Sequence, residues 1–175
     1  TYFFTTPDHL NPVSKKVCES LDKNFVKKMN AKKIDVVPYV NHHGPTPMEG
    51  IIGFIDSPRY CTGYASLFNC IGITTETHML KPFDERVRTT FESLKALMEL
   101  CQSQREELLK SKVDYSMNEV AITFELDTTK FEKINFKGYE PFYKKSAVTG
   151  LDQLYYDQSK PILKEINYYG TYKAE

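Results

Sequence analysis

The chain has 175 residues, 41% of them hydrophobic and 13% aromatic, and its 23 basic side chains balance 23 acidic ones. That length suits one domain, or one domain with a small appendage, and the aromatic content argues against disorder. Balanced charge offers no global field for nucleic acid or an anionic membrane, and no apolar run reaches membrane-spanning length, so neither a nucleic-acid partner nor a membrane span is expected.

Residues 1–6 are aromatic and β-branched and predict a strand. The chain opens inside this apolar run and without an initiator Met, which reads as a piece cut from a longer protein. Residues 7–11 form a loop, and Asn11-Pro12 starts a helix: the asparagine caps and the proline takes the first turn. Val13, Val17, Leu21, Phe25 and Met29 recur every four residues, so the helix over 12–30 is amphipathic. Its lysines lie mostly off that stripe, as a solvated face. Residues 34–40 predict a strand that Pro38 pushes to a sheet edge or makes irregular. Residues 41–50, with prolines, glycines and the pair His42-His43, read as a surface loop, and 50–55 as a short strand.

Residues 56–60 form a loop held by Pro58. A short helix follows, with the Thr62 hydroxyl as its cap, and runs through Phe68. Gly72 breaks that pattern, and the β-branched residues over 71–77 predict a buried strand bearing Glu76 at its end. A carboxylate there sits where open α/β sheets hold their active sites. The longest helix is predicted over 83–112. In it Phe83, Val87, Phe91, Leu94, Met98 and Cys101 step by 4, 4, 3, 4 and 3, the strongest periodic signal in the chain. From Tyr115 the texture becomes strand-like over 119–126, 131–143 and 153–172, with turns at Asp127-Thr128, Lys137-Gly138 and Thr149-Gly150. Lysines lie between aromatics there, as on antiparallel strands with one wet face. Packing is the plain reading of those aromatics, beside a stacking surface for sugar or peptide.

Cys18, Cys61, Cys70 and Cys101 show no CxxC spacing, which argues against a zinc ribbon. Cys18 and Cys101 fall on apolar helix faces and read as small buried hydrophobes. Cys61 and Cys70 lie about 13 Å apart along a helix, too far for a disulfide. Neither they nor Ser66 sit in a recognisable nucleophile frame, and no phosphate loop or dinucleotide fingerprint is present.

Ser57-Pro58-Arg59-Tyr60, Gly63-Tyr64 and Glu76-Thr77-His78-Met79-Leu80-Lys81-Pro82 resemble, in that order, the later part of the zinc carboxypeptidase family (carboxypeptidase A-like metallopeptidases), its bacterial branch most of all. The resemblance covers about residues 2–100. It implies an α/β fold: the C-terminal part of a mixed-sheet domain over 1–113, then a β-rich appendage over 114–175. Strands around Ile34, Ile51 and Ile73 would pack against the helices over 12–30 and 83–112. It implies zinc-dependent hydrolysis of C-terminal peptide bonds, a peptide substrate, and an extracytoplasmic location, periplasmic or secreted. The general base falls on Glu76, and substrate contacts fall on Arg59 and on Tyr60 or Tyr64. The plain alternatives are a strand-end glutamate paired with a lysine or arginine, and an Arg59 salt bridge to Asp56 or Glu49.

The family binds zinc through His-x-x-Glu and a later His, all ahead of its general base. This chain has only His9, His42, His43 and His78, and no His-x-x-Glu. The expectation is that no zinc ligand lies in this chain, that the ligands precede Thr1, and that the chain alone is inactive. Thr77-His78-Met79 also stands where well-known members have Leu-Arg-Asp, which loosens any inference about specificity. A rival metal site would combine His78, Glu76 and one of His42 or His43, although consecutive histidines point apart. The alternative function is a non-catalytic carboxypeptidase-like binding or structural module.

Overall fold

The computed structural model describes residues 1–112 and 123–174. They form a mixed α/β architecture with α1 (Pro12–Ala31), α2 (Cys61–Ser66), α3 (Phe83–Ser103) and α4 (Arg105–Ser111). The strands are β1 (Tyr2–Phe4), β2 (Asn41–His42), β3 (Ile51–Ile52), β4 (Ile73–Thr75), β5 (Phe124–Leu126), β6 (Glu132–Lys145), β7 (Asp152–Tyr169) and β8 (Tyr172–Ala174). They make a mixed sheet in the order β2-β3-β7-β6 and two small antiparallel sheets, β1-β4 and β5-β8. Two compact units result: Thr1–Tyr39 with Phe54–Phe124 and Ala174–Glu175, and Val40–Gly53 with Glu125–Lys173. Among the described residues no helix is long and apolar enough to cross a membrane.

The first unit is built on α1. Asn11 Oδ1 accepts from the backbone N–H groups of Val13 and Ser14 and Pro12 takes the first turn, as the sequence predicts. Four of the five stripe residues are its core face: Val17, Leu21, Phe25 and Met29 pack with Tyr2, Ile34, Ala96 and Leu100, while Val13 in the first turn is exposed. Cys18 is buried among them, its Sγ on the Thr5 carbonyl at 3.4 Å. Burial pushes its thiol up to about 12, where it stays protonated and inert.

Three expectations for this unit fail. Residues 34–40 form no strand; Tyr2 N–H donates to the Val37 carbonyl and a single bridge joins Tyr2 to Pro38, which has no N–H to extend the ladder. The strand predicted over 71–77 contracts to β4. It is half-buried and pairs antiparallel with β1 (Tyr2 opposite Thr75, Phe4 opposite Ile73), so it is no buried strand of an open parallel sheet. Helices α1 and α3 pack on each other, with Ile34 in their shared core and Ile73 packed against it.

The third failure is the largest. The long helix breaks at Gln104 into α3 and α4, and α3 buries Ser93, Ala96 and Leu100. Small side chains there let it approach α1 closely, and Lys28–Glu99 (2.8 Å) and Lys32–Glu92 ion pairs fix its rotation. The predicted stripe faces outward: Phe91 is 62% exposed, Leu94 55%, and Cys101 is exposed with them.

In the second unit β6 and β7 form one long hairpin. Ile51 and Ile52 of β3 pair parallel to Tyr168 and Tyr169 of β7, and β2 pairs antiparallel to β3. The turns at Asp127 and Gly150 stand as predicted: Asp127 Oδ1 accepts from the Thr129 N–H, and Gly150 takes a φ of 70°. The turn predicted at Lys137-Gly138 does not occur. β6 continues through it, with Gly138 opposite Ile162 and a register shift against β7 only between Tyr139 and Glu140, and a Cβ on Gly138 would stand 2.8 Å from the buried Phe136 ring. That glycine makes room for a ring rather than a bend. Most of the hairpin is exposed on both faces, rather than wet on one. The strand expected over 119–126 is seen only as β5, since residues 119–122 lie outside the described residues.

Candidate functional site

The segment from Asp56 to Glu76 is tied down from the inside. Asp56 is fully buried, and its Oδ1 accepts from the Thr6 backbone N–H at 2.9 Å and from the Thr6 hydroxyl. His9 Nδ1 lies 3.8 Å from the same oxygen, with its ring 4.9 Å from Phe124. The sequence reading missed this role, which a lone aspartate beside Ser57-Pro58 does not advertise. It also means that Asp56 does not pair with Arg59.

Next in the chain, α2 starts one residue earlier than predicted. Tyr60 stands at the cap position without a side-chain bond, while Thr62 is already helical, buried, and unable to cap. Gly63 explains the close seating of this helix: a Cβ there would fall 2.3 Å from the Ser57 carbonyl oxygen and 2.5 Å from that of Asp56. Ser66 Oγ donates back to the Gly63 carbonyl at 2.6 Å and is buried, so it is no nucleophile. Thr5 stitches α2 to β4: its hydroxyl donates to the Thr62 carbonyl (3.4 Å) and accepts from Gly72 N–H (2.8 Å).

These ties leave Arg59, Tyr60 and Tyr64 exposed. The Arg59 guanidinium lies 5.5 Å from the Tyr60 ring centroid, and Tyr60 packs edge-on against Phe54. Arg59 is exposed, so its fork of donors is open to solvent beside an aromatic ring. Tyr64 packs on Phe68 instead. Cys61 Sγ, one residue beyond Tyr60, lies 3.8 Å from Thr74 Oγ1, two residues before Glu76. The start of α2 and the end of β4 are thus neighbours. No hydrogen bond or ion pair among the described residues joins Glu76 to Arg59, Tyr60 or Tyr64.

Glu76 is held by its backbone. Its N–H donates to the Thr1 carbonyl at 2.8 Å, and its carbonyl accepts from the Thr1 amine at 2.7 Å. Its exposed side chain has one long contact, the Thr1 hydroxyl at 3.5 Å. His78 does not orient it: His78 Nδ1 accepts from Leu80 N–H at 3.2 Å and caps its own turn.

Among the described residues no group of three or more His, Cys, Asp or Glu side chains is placed to hold a metal ion. No such group contains Glu76 and His78. Comparison with protein-family models, with curated proteins and with solved structures finds no match to this chain.

Proposed function

We propose that this chain is the C-terminal part of a zinc metallocarboxypeptidase-like domain, with Glu76 as the general base and the zinc ligands on a segment that precedes Thr1 in the intact protein. The substrate class is a peptide with a free C-terminus. The support is the ordered run of Ser57-Pro58-Arg59-Tyr60, Gly63-Tyr64 and Glu76-Thr77-His78. The observation that carries the reading is the state of Glu76: an exposed strand-end carboxylate whose backbone N–H is fixed on the Thr1 carbonyl and whose carboxylate oxygens, among the described residues, form no ion pair with a side chain. A general base needs such a free oxygen, within hydrogen-bond reach of the water whose proton it takes.

Arg59 and Tyr60 are the substrate contacts in this reading. A guanidinium binds a terminal carboxylate through two parallel hydrogen bonds, and the neighbouring ring holds the fork in place. Tyr64 is an alternative aromatic contact from the next helical turn. No step is routed through zinc, whose ligands in this reading precede Thr1.

The test is metal content after dialysis against trace zinc. The 175-residue chain alone should retain almost none and release no C-terminal residue from peptides. The intact protein should hold one zinc and release them. One zinc held by this chain alone would contradict the reading, and so would a metal-free, inactive intact protein. The second result would leave a non-catalytic module that binds peptide without cutting it.

A further inference from the structure

We infer that the outward seam of α3 is a self-association surface, on which a second copy of this chain seats its own α3 in parallel. The inference does not depend on the proposed hydrolase reading. It starts from a conflict: the most regular apolar pattern in the chain lies on the solvent side of its helix. Phe83 is 73% exposed and Met98 67%. Single exposed apolar residues are ordinary, whereas a continuous stripe of them marks a docking surface.

The spacing specifies what docks. Val87, Leu94 and Cys101 are seven apart, as are Phe91 and Met98, and the two sets alternate by four and three. That is the seam of a two-stranded coiled coil, in which side chains of one helix fill holes in its equal. The area also suits a pair. The exposed parts of Leu80, Phe83, Val87, Phe91, Leu94 and Met98 come to roughly 700 Å² per copy, close to the ~800 Å² per partner of a standard interface.

The margins set the direction. Arg88 and Lys95 flank the seam on one side and Thr90, Leu97 and Gln104 on the other. Glu92 and Glu99 bond to Lys32 and Lys28 of α1, and their charges also reach Arg88 and Lys95, so they offset that margin only in part. In an antiparallel pair the two basic margins face each other. In a parallel pair each faces the neutral margin of its partner, which removes the like-charge repulsion. Parallel pairing in register also brings Cys101 to Cys101 of the second copy at a seam layer.

Sedimentation of the chain over a concentration series tests this, together with mild oxidation. The expected result is a reversible dimer that gives a disulfide-linked dimer on oxidation, lost in Cys101→Ser. Phe91→Glu should raise the dimer dissociation constant by about thirtyfold or more while leaving the circular dichroism of the monomer unchanged, because Phe91 is already exposed. A monomer at every concentration would overturn the inference. So would a dimer indifferent to Phe91→Glu, or one cross-linked only through Cys61 or Cys70. A monomeric intact protein whose Cys101 resists alkylation until unfolding would overturn it too, by showing that another segment of the same protein covers the seam.

Discussion

At the scale of single residues, burial and hydrogen bonding separate the groups that hold the site from those that could act in it. Asp56 is a holding residue: it gives Thr6 both its backbone and its hydroxyl partner in the interior. Asp56→Ala should destabilise the chain by about 1–3 kcal/mol in denaturant unfolding, because a buried N–H loses its acceptor. Gly63→Ala should destabilise as well, against alanine's better helix propensity, since the added methyl meets two backbone oxygens that cannot give way. Stabilisation by Gly63→Ala would show that α2 can move off its loop. Both predictions concern folding, while Arg59 and Glu76 lie exposed. Arg59→Ala should therefore leave stability within about 0.5 kcal/mol and, under the proposed hydrolase reading, weaken substrate affinity.

At the scale of elements, α1 and α3 show where pattern reading works and where it stops. The α1 stripe is its buried face, because Asn11, Pro12 and the four-residue repeat agree with one another. The α3 stripe is as regular, yet α3 presents Ser93, Ala96 and Leu100 to α1. Periodicity reports that a helix has an apolar face; it does not report whether the cover comes from this chain. Leu100→Ala should accordingly cost about 2–5 kcal/mol, and Phe83→Ala, in dilute solution, less than about 1 kcal/mol.

The ion pairs between these helices add a pH dependence. Hydrogen bonds from Lys32 and Lys28 hold Glu92 and Glu99 below the ordinary glutamate range. A depressed folded-state value gives stability that is present above the unfolded value and lost as pH falls through the folded one. Unfolding midpoints should thus fall on acidification below the usual glutamate range. The drop should be smaller in Glu92→Gln and Glu99→Gln.

For the molecule as a whole, the sequence made the mixed α/β class legible, along with α1, α3, the long β6–β7 hairpin and its Gly150 turn. It marked Pro38 as the irregularity in 34–40 but did not show that a single bridge would be all that remains of the strand. Nor did it show that β4 would pair with β1 at the chain's start, since strand partners are set by the ladder and not by propensity. Of the candidate site, Arg59 and Tyr60 come into contact, whereas Asp56, His9 and Thr6 carry no motif and emerge only from packing. The hydrolase reading makes one exposed carboxylate the centre of the molecule. The direct measurement is release of C-terminal residues from peptides by the intact protein and by its Glu76→Gln variant, with zinc content determined on both. The account predicts equal zinc and turnover lower by about a hundredfold or more in the variant. Equal zinc with equal turnover would contradict it.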